Sequence, residues 1–195
     1  MKRIFDLISS FIGILILSPV FVVLSVWIRV DSKGGMFYRQ TRVGKNNKDF
    51  KLLKFRTMHT DADKRGLLTV GMRDPRITHI GYYLRKYKLD ELPQLFNVLV
   101  GDMSLVGPRP EVRKYVEMYN PEQMRVLSIR PGITDYASIM YSNENEILAK
   151  SEQPEKTYID EIMPHKLQLN IKYIDEKNPF KDIKLILKTI FKIIS

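Results

Sequence analysis

Hydrophobic and polar positions change character along this chain. From Leu7 to Ile28 no residue is charged, and the run FIGILILSPVFVVLSVWI occupies 11–28. A continuous helix of that length would reach ~33 Å, about the thickness of a bilayer's hydrocarbon core. Pro19 interrupts it: the residue lacks an N–H and its ring crowds the carbonyl of Leu15, which predicts a kink or break at Ser18-Pro19. Ser18 can satisfy a freed carbonyl through its hydroxyl. Residues 36–58, MFYRQTRVGKNNKDFKLLKFRTM, predict two strands around a polar turn at 44–49. The polar stretch 61–76, with Gly66, Gly71 and Asp74-Pro75, predicts a loop. Leu89, Leu92, Leu95, Phe96 and Leu99 then recur at helical spacing until Gly101, with Pro93 in the first turn. At the end, NPFKDIKLILKTIFKIIS predicts a helix opening at Pro179. Lys181, Lys184, Lys188 and Lys192 gather on one side of it, and Phe180, Ile183, Ile186, Leu187, Ile190 and Ile194 on the other.

The flanks of the apolar run bear on how it meets a membrane. Lys2 and Arg3 precede it; Arg29, Lys33, Arg39 and Arg42 follow. A simple span usually carries its Lys/Arg excess on one side. Basic residues at both ends favour a helix that enters one leaflet and returns, over a straight span or a buried core helix. No small-x-small cleavage site follows the run, which argues against a signal peptide. The division expected is a re-entrant membrane helix over 1–30 and a catalytic domain over 31–195, carrying the amphipathic C-terminal helix.

Polar residues at particular spacings supply candidate chemistry. Lys54 and Arg56 lie two apart in the second predicted strand, so both would point to one face and could grip a diphosphate; a solvated strand face fits the same spacing. Asp90 and Glu91 fall near a helix start. An aspartate there commonly caps the helix, but the position also favours an ionised carboxylate and attracts phosphate. Such an aspartate could serve as nucleophile while its acidic neighbour holds Mg²⁺. Arg109 is mounted between two prolines in VGPRP, and Arg130 precedes Pro131-Gly132 in RPGIT. Either could bind phosphate oxygens through two donors, or simply belong to a turn.

Composition narrows the partners. With 195 residues the chain suits one globular unit beyond the apolar run. A net charge of +10 and a pI near 9.6 favour anionic partners. The absence of cysteine removes disulfides and thiolate metal sites from consideration. A membrane-anchored basic module without catalysis fits the charge, but no nucleic-acid fold signature or aromatic stacking motif accompanies it, so nucleic acid is not an expected partner.

The Ser18-Pro19 break, KFRTM at 54–58, LDELPQLFNVLVGDMSLVGPRP at 89–110 and RPGIT at 130–134 together resemble the bacterial sugar transferase family, the small monotopic phosphoglycosyl transferases. The match covers nearly the whole chain. It implies an α+β, mainly helical fold with a re-entrant helix, a small β-hairpin and amphipathic interfacial helices. It further implies transfer of a sugar-1-phosphate from a UDP-sugar to polyprenol phosphate, with release of UMP, as the first membrane step of capsule, exopolysaccharide, O-antigen or glycoprotein glycan assembly. By the same resemblance Asp90 forms a covalent phosphosugar intermediate, and Glu91 holds Mg²⁺. Lys54, Arg56, Arg85 and Arg109 match basic residues expected around the phosphates, and Arg130 is placed with them.

The expected location is the cytoplasmic face of the bacterial inner membrane, in contact with lipid. The match begins at residue 1, which implies a form without the additional membrane domain of larger relatives. No oligomeric state follows, a homodimer being one option. Residues 135–148, DYASIMYSNENEIL, depart from the GLAQVNGR-like loop of many members, so sugar contacts assigned to that loop do not transfer.

Overall fold

A computed structural model describes residues 2–60, 62 and 74–194. Most of the loop expected at 61–76 therefore lies outside the described residues. The protein is mainly helical, with two small two-stranded sheets.

Helix α1 runs from Lys2 to Asp31 and stays helical across Pro19. The expected break is thus not seen, and the local bonding gives the reason. Pro19 cannot donate to Leu15, but the Ser18 hydroxyl donates to that same carbonyl at 2.8 Å. The acceptor freed by the proline is satisfied one residue earlier. One stripe of α1 is buried, through Asp6, Ser10, Phe21, Leu24 and Ile28, while Leu15, Ile16, Val22, Val23 and Val30 among others are exposed. Phe21, Leu24 and Ile28 pack with Phe55, Ile80 and Leu84 in one core.

Strands β1 (Phe37–Val43) and β2 (Asp49–Phe55) form the expected antiparallel hairpin around a 3₁₀ turn at Lys45–Asn47. Asn46 and Asn47 adopt positive φ there, a conformation that asparagine tolerates better than most residues. Helix α2 (His79–Lys86) is capped by Thr78, whose hydroxyl accepts from the Gly81 amide. Gly81 has to be glycine: a Cβ there would stand 2.0 Å from the Thr57 carbonyl oxygen. That close seat fixes where Arg85, one turn later, points.

The helix expected from Leu89 begins as a 3₁₀ turn, Leu89–Glu91, and becomes α3 only at Gln94–Val100. Gly101 ends α3 in a left-handed cap at φ 101°. Asn97 on α3 docks onto β2 as a third strand would: its Oδ1 accepts from the Leu53 amide at 2.9 Å, and its Nδ2 donates to the Lys51 carbonyl at 2.8 Å. This bond pair brings Lys54 alongside the Asp90-Glu91 turn.

Strands β3 (Ser104–Val106) and β4 (Gly132–Thr134) pair in parallel. Each is attached to one of the Pro-rich motifs, and the glycines of the two motifs meet. A Cβ on Gly132 would lie 2.1 Å from the Gly107 amide nitrogen, and one on Gly107 would lie 2.6 Å from the Arg130 carbonyl oxygen. Only paired glycines permit that approach. The short helices α4 (Arg113–Val116), α5 (Tyr136–Met140), α6 (Glu144–Ala149) and α7 (Pro154–Thr157) follow. A π-helical turn at Tyr158–Ile162 then leads into α8 (Met163–Glu176), and α9 (Pro179–Ile194) closes the chain. Val112, Tyr115, Leu148, Tyr158, Ile162 and Leu167 make the core of this half. In α9 Leu185 and Asp182 are buried; Asp182 accepts from the Tyr173 hydroxyl at 2.7 Å and pairs with Lys2.

Candidate active site

A cavity of about 510 Å³ opens where the hairpin, the Leu89–Glu91 turn, β4, α5 and α9 converge. Asp90 and Glu91 share one of its walls with Lys54, Arg85 and Arg109. The turn that carries the two carboxylates is set by Lys88, which adopts the left-handed region at φ 56° and also faces the cavity. A residue with a Cβ in that region is strained by about 1–2 kcal/mol and persists only where its surroundings hold it.

The two acids differ in how they are held. Glu91 is clamped: Arg109 donates to both of its oxygens, through Nη1 at 3.1 Å and through Nη2, and Lys54 Nζ lies 3.1 Å from Oε1. Asp90 is buried, yet its nearest described cation is Lys54 at 3.9 Å. None of the described residues donates a hydrogen bond to its side chain. Burial pushes the Asp90 carboxyl above the ordinary aspartate range, an effect Lys54 and Arg85 only partly offset and Glu91 reinforces. Burial acts on Glu91 too, but Arg109 and Lys54 outweigh it and hold that carboxyl well below its usual range. Lys54 is lowered by its own desolvation, against the pull of Glu91. Arg85 is lowered by burial as well, with Asp90 the main opposing charge. The result is one acid held ionised by a two-pronged arginine contact beside a second, buried acid that has only a loose contact with Lys54.

The structure separates the basic residues expected around phosphate. Lys54, Arg85 and Arg109 meet at the acids. Arg56 does not. It lies just beyond β2 and turns to the C-terminus of α1, where its guanidinium donates to the carbonyls of Ser32 at 2.7 Å, Lys33 at 3.0 Å and Gly35 at 2.6 Å. A cation at the carbonyl end of a helix is stabilising in itself, so the two-residue spacing from Lys54 does not translate into a shared face. Arg130 is likewise outside the cavity: it is exposed and donates to the Gly101 carbonyl at 2.8 Å, at the end of α3. Of the two Pro-flanked arginines, one faces the acids and the other belongs to a turn.

Arg42 counts in the sequence only as a basic residue flanking the apolar run, but it is central to the wall. It bonds Gln40, the Pro110 carbonyl and Glu111, and so anchors the segment that mounts Arg109. The signal was present, since the period of two in YRQTRV puts Tyr38, Gln40 and Arg42 on one strand face. Asp135 supplies a second anchor, accepting from the Arg109 amide at 3.1 Å and from the Ser138 amide at 2.5 Å. Lys166 and Glu144, paired at 2.7 Å, and Tyr158, which donates to Glu111, line the far side. No local pattern marks these.

The family model for bacterial sugar transferases matches residues 1–195. The chain belongs to the bacterial sugar transferase family. Three curated family members illustrate the likeness. A galactosyl transferase, CpsE, of Streptococcus agalactiae serotype III is 41% identical over 97% of this chain and 41% of its own length. The UDP-glucose:undecaprenyl-phosphate glucose-1-phosphate transferase of Escherichia coli K12 is 34% identical over 98% of this chain and 40% of its own length. The exopolysaccharide production protein ExoY of Rhizobium meliloti is 32% identical over 97% of this chain and 83% of its own length. The chain thus spans about two-fifths of the first two relatives and most of the third.

Proposed function

We propose that this chain transfers a sugar-1-phosphate from a UDP-sugar to polyprenol phosphate, with UMP as the leaving group and Asp90 as the nucleophile. The observation that carries the reading is the asymmetry of the acid pair, with Glu91 clamped by Arg109 and Lys54 and Asp90 left unengaged beside it. An Asp90 oxygen attacks the phosphorus that bears the sugar, and the bond from that phosphorus to the bridging oxygen of UMP breaks. The phosphosugar is then esterified to Asp90. An oxygen of polyprenol phosphate attacks the same phosphorus, the aspartyl oxygen departs, and the carboxylate is regenerated. Dividing the transfer lets one carboxylate serve two substrates in turn. Lys54, Arg85 and Arg109 offset the repulsion between carboxylate and diphosphate and stabilise charge on the transferring phosphoryl group.

The donor set also fits Mg²⁺. Asp90 and Glu91 both line the cavity, and a hard cation shared with substrate phosphates is usually held by one or two carboxylates. Glu91 would hold it in exchange for part of its contact with Arg109 and Lys54, and the ion would supply charge neutralisation on the diphosphate. The direct test is UMP release by the purified chain, in lipid with Mg²⁺, across a panel of UDP-sugars with polyprenol phosphate present. Release from at least one donor is expected; none from any donor would overturn the reading.

The two ends of α1 support a particular seat in the membrane. At one end Arg3 donates to the carbonyls of Val98 at 2.5 Å and Leu99 at 2.8 Å, and Asp6 accepts from Ser104 at 2.8 Å. At the other, Arg56 holds Ser32. Both ends rest on the same body, which supports a monotopic seat: a buried stripe on the protein, the remaining apolar circumference in lipid and both ends on the cytoplasmic face. A straight span would have to pull an end of the helix away from the body. Because the chain lacks cysteine, one cysteine appended at the N-terminus and, separately, Lys33→Cys report on topology without background. In intact cells both should be shielded from a membrane-impermeant maleimide and should react after permeabilisation. Opposite behaviour of the two sites would establish a crossing.

A further inference from the structure

Helix α9 touches three environments. Asp182 and Leu185 face inward against Tyr173 and Val106. Phe180, Ile183, Leu187, Ile190 and Phe191 form an exposed apolar stripe at helical spacing. Between these faces Thr189 and Lys192 reach the catalytic cavity. Thr189 is already committed: its hydroxyl donates to the Leu185 carbonyl at 2.8 Å and lies 2.5 Å from the Thr134 hydroxyl. Lys192 is exposed and forms no ion pair with any described residue. The same cavity has apolar lining from Leu92, Leu95, Ile133 and Ile139. Leu95 also touches α1, since a Cβ on Gly13 would be 3.5 Å from its Cδ1. The cavity therefore runs from the buried acids to the helices that carry the largest exposed apolar surfaces of the molecule.

We propose that Lys192 is a docking cation for the phosphate of the lipid acceptor, which enters the cavity beside the basic side of α9 while its hydrocarbon chain stays in the bilayer that the apolar side of the same helix faces. This rests on the phosphoglycosyl transferase reading. The chemistry of the second displacement requires such a group. Once the phosphosugar is on Asp90, its phosphate is neutralised by Lys54, Arg85 and Arg109, and the incoming phosphate needs a counter-charge of its own. A soluble nucleotide sugar does not need a cation on a lipid-facing helix; an acceptor whose tail stays in the bilayer does. Lys192 is the one α9 lysine that lines the cavity among the described residues, and it belongs to the basic side of a helix whose opposite side is the exposed apolar stripe.

Two half-reactions separate this role from a structural one. Lys192→Ala and Lys192→Arg are compared with the unaltered chain in lipid nanodiscs. The first half is read as single-turnover UMP release without acceptor, and the second as transfer to polyprenol phosphate at varied concentration. For Lys192→Ala, kcat/KM for polyprenol phosphate should fall about tenfold, the scale of one charge-assisted hydrogen bond. Single-turnover UMP release should stay within about twofold of the unaltered chain, well under that effect, and Lys192→Arg should restore the acceptor term. An unchanged acceptor kcat/KM, or an equal loss in both halves, overturns the assignment. Failure of the unaltered chain to release UMP would instead overturn the reading on which it rests.

Discussion

Asp90→Asn should lower sugar-phosphate transfer by more than ~10³-fold, the scale on which loss of a nucleophile is felt, and should prevent any covalent phosphosugar from forming. The measurement is mass spectrometry of protein quenched with donor and no acceptor: an adduct on residue 90 in the unaltered chain and none in the variant. A fully active variant would remove Asp90 from the mechanism. The same substitution should not destabilise the fold. Burial raises the Asp90 carboxyl, so its folded pKa lies above its unfolded one. The stability associated with it is therefore present below the unfolded value and lost as pH rises through the folded value. Asparagine cannot ionise and escapes that loss, so the variant should melt higher than the unaltered chain at neutral pH, by a margin that shrinks in acid. Activity has the reverse dependence, since attack needs the ionised form. The acid limb of kcat/KM should lie above the ordinary aspartate value of 3.8.

Arg109→Ala should cost about 10²–10³-fold in kcat, the scale of one preorganised charge-stabilising donor. The arginine has two tasks that alanine abandons together. In the proposed reaction it neutralises charge on the phosphoryl group, and in the structure it holds Glu91 ionised through a two-pronged contact. Arg109→Lys should recover little, because an ammonium cannot reproduce the planar fork. A lysine variant within twofold of the unaltered kcat would mean that only the charge matters, against the roughly hundredfold span that separates the two cases. Steady-state kinetics with the preferred UDP-sugar decide this, with a thermal melt to confirm that each variant is folded.

The contrast between Arg109 and Arg130 shows where linear reading ends. Both sit beside proline and both precede or follow a glycine turn, so their local signatures are nearly equal. The contact of Gly107 with Gly132 sets the two motifs side by side and sends one guanidinium to the acids, the other to the end of α3. Lys54 and Arg56 diverge for a similar reason. Their spacing describes an ideal strand, but β2 ends at Phe55, and the carbonyls at the end of α1 are a stronger attraction for Arg56 than an open face.

Several elements were legible because they depend on neighbours in sequence. The hairpin, the α3 stripe ending at Gly101, the Pro179 start of α9 and the pairing of the Ser18 hydroxyl with Leu15 all follow from periodicity, caps and backbone donors. The acid pair was legible for the same reason, as adjacent residues in a recognisable motif. What no local pattern could disclose was which other residues meet the acid pair at the cavity. Arg42, Glu111, Tyr158, Lys166 and Lys192 arrive from β1, from the segment before α4, from the π-helical turn, from α8 and from α9. Their approach is set by packing between elements far apart in the chain.

The linear order of residues by itself determined the apolar N-terminal helix, the hairpin, α3, α9 and the adjacency of the two acids, since each is encoded within a few turns of chain. Tertiary structure alone decided which cations face that pair, that the helix persists through Pro19 with both ends on one body, and that α9 joins the apolar surface to the cavity. Those outcomes depend on long-range contacts, where the gain from burial and from satisfied backbone carbonyls exceeds any preference a short stretch of sequence can express.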